Sequence, residues 1–144
     1  MTLSETYKFL ESVKRIDLDI RKLQLKHDAL QSCLLPKAIT YDKDPVQTSP
    51  EDKMSEIASE VMDIEQELRK LAAMKRRRIQ EVGERIATLE NDSEQIVLLG
   101  FYVGNLPAPK VAEISRYSVR GVYKIRRRAV MHLAESVHKV HSAK

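Results

Sequence analysis

The sequence predicts an all-α fold: a long N-terminal antiparallel helical hairpin, a coiled coil, followed by a three-helix helix-turn-helix domain. Three observations predict it. Apolar residues recur at alternating three- and four-residue spacings through the first two thirds of the chain, the period of seamed helices rather than strands. Helix-capping signatures stand at Thr2, Ser49, Asn91 and Ser118, each ahead of such a run. Four glycines and no tryptophan in 144 residues, of which 42% are hydrophobic and 32% charged, suit long, half-exposed helices. The expected domains are residues 1–90, an oligomerising hairpin, and residues 91–144, the helix-turn-helix domain.

The first helix opens on a capping box, Thr2 with Glu5 three residues on. Its seam reads Phe9, Val13, Ile16, Ile20, Leu23, His27, Leu30 and Leu34. Four heptads of that spacing argue for a coiled coil, and the whole helix should run about 32 residues, roughly 48 Å. His27 occupies a seam position, where a polar residue fixes register or partner choice. Cys33, the single cysteine, has no partner for an intramolecular disulfide and is expected as a packed thiol.

Pro36, Pro45 and polar neighbours make residues 35–49 a long loop. Ser49-Pro50-Glu51-Asp52 then supplies an N-cap, a proline at the first helical position and two acids in the first turn. The second seam reads Met54, Ile57, Val61, Ile64, Leu68 and Leu71, and shifts phase to Ile79, Val82, Ile86 and Leu89. Lys75-Arg76-Arg77-Arg78 interrupts it. Four consecutive cations wind around most of a helix, so one should lie beside the hairpin partner, where Glu11 is placed to pair; the run reads mainly as surface, with a second phosphate contact and then a nuclear localisation signal as the alternatives. Folding back would set Leu34 near Met54 and Phe9 near Ile79. Two helices bury one stripe each, so Leu10, Leu18, Leu25 and Met74 should be covered by another subunit or by the C-terminal end folding back. A homo-oligomer is the expectation.

Asn91 with Glu94 restarts the chain as a helix. Residues 94–103 form the most apolar stretch and should be a buried helix stopping at Gly104 and Asn105. Three helices are expected, near 92–103, 107–115 and 118–138. Pro107 or Pro109 fits the first turn of the second, whose buried side would be Val111, Ala112 and Ile114. Ser115-Arg116-Tyr117 is short enough for the turn, and Ser118 caps the last helix. That helix buries Val122, Ile125, Ala129 and Leu133, leaving Arg120, Tyr123, Lys124 and Arg127 along its exposed side.

Charge follows the same division. Residues 110–144 hold nine Lys or Arg against Glu113 and Glu135, a net of +7, and the rest sums to −3. A basic end on a nearly neutral remainder is the footprint of phosphate neutralisation, so double-stranded DNA is the expected ligand. Arg120 or Arg127 would read guanine. Arg116, Lys124 and Arg128 would position the protein on phosphates.

Enzyme chemistry is not expected. The chain lacks a glycine-rich phosphate loop, a Cys-Cys or His-Cys cluster, and a nucleophile beside a plausible base, so no cofactor or metal is implied. His132, His138 and His141 do not share a helix face well. With no run of about 18 apolar residues and no basic and apolar blocks at the N-terminus, no membrane segment or signal peptide is expected, and the location expected is cytoplasmic.

The order Ile96, Leu99, Tyr102, then Val111-Ala112, Tyr117-Ser118, Val122, Ile125, Ala129 and Leu133 resembles the fourth region of bacterial sigma factors. With the heptad-bearing N-terminus and the stretch Val46 to Met54, nearly the whole chain resembles phage-encoded late transcription regulators of the RinA and ArpU kind. The resemblance implies activation of a phage late operon together with host RNA polymerase, in the bacterial host cytoplasm. It also implies that Ser118 caps the recognition helix and touches phosphate, with Arg120, Tyr123, Lys124 and Arg127 directed at the groove. Two positions depart from the pattern: Arg116 stands where a glycine or small polar residue is common, and Ser115 where a large apolar residue usually packs. Gly121, inside the last helix, costs about 1 kcal/mol relative to alanine and leaves room for close approach to DNA. The alternatives are a small terminase-like packaging subunit, which usually carries its DNA-binding part first, and a coiled-coil adaptor or chaperone whose basic end binds an acidic protein.

Overall fold

The computed structural model describes residues 1–34 and 50–142; the cap expected at Ser49, the loop 35–49 and the side chains of His138 and His141 lie outside what it describes. Every regular element among the described residues is helical, none of them a strand: α1 (Leu3–Ser32), α2 (Pro50–Ile86), α3 (Asp92–Leu98), a π-helical turn (Leu99–Val103), α4 (Ala108–Ser115) and α5 (Val119–Ser142). Among the described residues, no helix is long and apolar enough to cross a membrane.

Local chemistry accounts for the helix starts. The capping box of α1 is reciprocal: the Glu5 backbone N–H donates to Thr2 Oγ1 and the Thr2 N–H to Glu5 Oε2, both at 3.1 Å. At α3 the Glu94 N–H donates to Asn91 Oδ1 at 3.2 Å, but only this half of the expected box forms, because the Glu94 carboxylate turns into the protein. At α5 the Gly121 N–H donates to Ser118 Oγ at 3.0 Å.

Packing divides the chain into two compact units, Met1–Ile16 with Lys75–Lys144, and Asp17–Met74. In the second of these, Val61, Ile64 and His27 are buried, with Ile20, Leu23, Leu30, Ile57, Leu68 and Leu71 half-buried around them. These are the seam residues. Leu18, Leu25, Met54, Met62 and Met74 stay exposed, and Cys33 is an exposed thiol rather than a packed one, donating to the Ala29 carbonyl across one helical turn.

The other unit holds the main core. Leu10 and Val13 of α1, Val82, Ile86 and Leu89, and the buried faces of α3, the π turn, α4 and α5 form one cluster. Leu10 is fully buried there, so this chain covers it and no second subunit is required for it. Lys75 and Arg78 are half-buried, so the seam of α2 keeps its spacing through the basic run instead of shifting phase at Leu71. Arg78 lies over the Phe9 ring at 5.9 Å and meets Glu81, not Glu11, at 3.5 Å.

Residues 94–103 depart furthest from expectation. The helix changes pitch at Leu99, with the Gly104 N–H donating to the Leu99 carbonyl. The wider turn buries Val97, Leu98, Phe101 and Tyr102 and leaves Ile96 and Leu99 exposed. Asn105, at φ 53°, takes the left-handed conformation at the stop, whereas Gly104 is right-handed. In α4 the buried residues are Ala108, Val111 and Ala112, and Ile114 faces outward.

His27 gives the smaller unit a pH dependence. Its Nε2 lies 3.0 Å from Glu65 Oε1 and its Nδ1 3.3 Å from Asp28 Oδ1. Donation to Glu65 first, and to Asp28 second, holds the imidazolium above its ordinary value of 6.5. A raised folded value means stabilisation that is complete below the unfolded value and lost as pH rises through the folded one. Amide hydrogen-exchange protection around His27 and Glu65 should therefore fall as pH rises above 6.5, and Glu65→Gln should flatten that dependence.

Candidate nucleic-acid interface

Residues 116–118 join α4 to α5. Arg116 ends α4 at φ 64°, left-handed, with its N–H donating to the Ala112 carbonyl. A side chain there costs about 1 kcal/mol or more that glycine avoids. Gly121 has a local reason: a Cβ on it would come within 3.1 Å of Ser118 Oγ and 3.6 Å of Tyr117 Cβ. The missing side chain makes room for the capping hydroxyl. Gly100 is similarly constrained, since a Cβ would stand 3.1 Å from Val111 Cγ2, where the π turn meets α4.

The residues singled out from sequence, Arg116, Ser118, Arg120, Tyr123, Lys124, Arg127 and Arg128, are all exposed. Val122, Ile125, Ala129, Val130 and Leu133 turn the other side of α5 into the core. At 100° per residue, Arg120, Lys124 and Arg127 fall within about 60° of one another, and exposed Met131 continues the line. None of those three cations meets a carboxylate among the described residues.

Besides Ser118, which holds the Gly121 N–H, two of the singled-out residues have side-chain partners within the chain. Arg128, assigned from sequence to phosphate, has its Nε 3.1 Å from Glu94 Oε1. Glu94 is 2% exposed and also receives His132, whose Nδ1 lies 2.6 Å from Oε1 and 3.1 Å from Oε2. A carboxylate only accepts, so Nδ1 carries the hydrogen. A polar cavity of about 500 Å³ opens beside this network, lined by Thr88, Glu90, Asn91, Glu135 and Ser136 among others. Tyr123 stacks on Phe101, their centroids 6.0 Å apart at 29°. Arg126 lies 4.9 Å from the Phe101 centroid and 5.0 Å from that of Tyr123.

Arg126, Glu94 and His132 were missed from sequence. The spacing of Arg128 and His132, four residues apart on one helix face, was the available sign that a single acid could hold both. Nothing local marked Arg126, because its aromatic partner Phe101 comes from another segment. Tyr102, next to Phe101 in the π turn, is buried, which pushes its phenol up to about 12 and keeps it neutral. Among the described residues, no group of His, Cys, Asp or Glu could hold a metal ion.

Two substitutions separate these effects. Glu94→Ala should lower unfolding free energy in urea by about 2 kcal/mol, since it deletes charge-assisted bonds to Arg128 and His132 that both partners can replace with water. Arg116→Gly should raise it by about 1 kcal/mol through relief of the left-handed cap. Compared with known proteins, the chain matches no family model, no curated protein and no solved structure.

Proposed function

We propose that this chain is a sequence-specific DNA-binding regulator in which α4, residues 116–118 and α5 act as a helix-turn-helix, with α5 as the major-groove reader. The observation that carries the reading is the row Arg120, Lys124 and Arg127: exposed cations without carboxylate partners among the described residues, on a side-chain-capped helix whose opposite side is core. Such a row supplies both phosphate neutralisation and, through arginine, bidentate donors for guanine. Arg120 and Arg127 are the base readers in this scheme, and Lys124 and Arg116 hold phosphate. Ser118 is a cap before it is a contact. Arg128 reaches DNA only by loosening its hold on Glu94.

The two long helices serve as an antiparallel hairpin, a reading supported by the contacts of Met1 with Arg85, Phe9 with Arg78, and His27 with Glu65. Exposed Leu18 and Leu25, seven residues apart on one face of α1, support self-association through that hairpin. An oligomer would present several reading heads and bind repeated half-sites. The resemblance to phage late regulators adds activation in concert with host RNA polymerase.

The test is footprinting on non-coding DNA from the genome that encodes the protein, with competitor DNA and a salt series. A discrete protected site, weakening as salt rises, supports the reading; uniform weak protection removes it. Arg120→Ala should cost about 1–3 kcal/mol at the specific site with little effect on random duplex. Equal losses on both would make Arg120 a phosphate contact.

A further inference from the structure

A second basic surface lies at the level of Phe9, inside the larger compact unit. Between Glu67 and Glu81 the chain has no acidic residue, and the four consecutive cations Lys75 to Arg78 of that stretch lie in this unit. Arg76 and Arg77 are exposed and meet no carboxylate among the described residues. The reason is local: three and four residues to either side of Arg76 stand Ala72, Ala73, Ile79 and Gln80, and the one acid within reach of Arg77, Glu81, is held by Arg78. On a solvated helix, cations normally alternate with acids at that spacing. Here they do not.

Contacts within the unit bring α1 beside this run. Met1 meets Arg85 and Phe9 meets Arg78, so α1 advances as α2 recedes. About one and a half turns past Phe9, near 8 Å along the axis, Lys14 and Arg15 come level with the residues just before Arg78. Arg15 is exposed and has no carboxylate partner among the described residues. Lys14 links the surface to α5: its Nζ lies 5.4 Å from the Tyr102 centroid, Tyr102 is 6.4 Å from Phe101, and Phe101 carries Arg126 and Tyr123. Positive charge thus passes from α5 to α1 across an aromatic pair, with one acid, Glu11, close enough to Tyr102 to act on its phenol.

We propose that Lys14, Arg15, Arg76 and Arg77 form a second phosphate-holding surface for the same duplex, flanking the stretch read by α5. The proposal rests on the DNA-binding reading above. The surface has no base-reading geometry of its own, so it adds affinity and footprint length while leaving sequence preference to α5.

The experiment uses the full chain with Arg76→Gln and Arg77→Gln together, titrated against the footprinted duplex and a random duplex across a salt series. The variant should weaken binding to both by the same factor. The slope of log affinity on log salt should shrink by about 0.9 for each phosphate no longer neutralised, near 1.8 for the pair. Its deficit should vanish on a duplex trimmed to the stretch protected by α5. Arg76→Lys with Arg77→Lys should restore the slope. Unchanged affinity and slope would overturn the proposal, as would unchanged DNA binding with lost binding to phosphatidylserine vesicles, which would make this a membrane-facing surface. If Arg120→Ala leaves discrimination intact while the double variant still flattens the slope, the α5 reading fails and the second surface stands. If the unaltered protein binds neither duplex, both fail.

Discussion

The burial of Leu10 and Val13 in the same core as Val122, Ile125, Ala129 and Leu133 is the constraint on which the remaining structure depends. α3 and α4 have seven and eight residues, too short to be stable as isolated helices. Their apolar faces, with that of α5, need a wall, and the first turns of α1 with the last turns of α2 provide it. A fully buried leucine contributes about 1.5–3 kcal/mol by removal from water, comparable with the effect of any single cap. The exposed side of α5 is held in place by residues from the opposite end of the chain.

Polar interactions refine what the core positions. Glu94 is an acid in a buried site, and it is tolerated because Arg128 and His132 both donate to it. It ties the start of α3 to the middle of α5. On the far flank the π turn aims Phe101 and Tyr102 so that Arg126 and Lys14 rest on aromatic faces. The triple-arginine run of α5 therefore divides by function: Arg126 stacks, Arg127 stays open to solvent, and Arg128 holds the buried acid. Adjacent residues on a helix point 100° apart, so a run of like residues meets unlike surroundings.

Features set by local chemistry were legible in the sequence. Thr2 with Glu5, Ser118 ahead of α5, the seam of α1 and the inward stripe of α5 all depend on neighbours within four residues. The all-α class follows from them. Legibility failed where a distant segment decided the outcome. Leu10 looked uncovered because its cover comes from segments far along the chain, and Glu94 looked like half of a capping box because its cationic partners are on another helix. The change of pitch at Leu99 had no local mark, since Gly100 is explained only by its closeness to Val111. Among the candidate DNA-facing residues, exposure of the basic row was readable, whereas the withdrawal of Arg128 and the stacking of Tyr123 were not.

The seating of α1 in that core also bears on how the molecule is made. Leu10 is synthesised well before its core companions on α5, which lie over a hundred residues further along. Until α5 has been translated, the apolar face of α1 is covered only in part, by Val82, Ile86 and Leu89. Full closure waits for α5 to emerge. The basic face of α5 and the first turns of α1 are then fixed by the same packing, so removing those turns would disturb a surface more than a hundred residues further along.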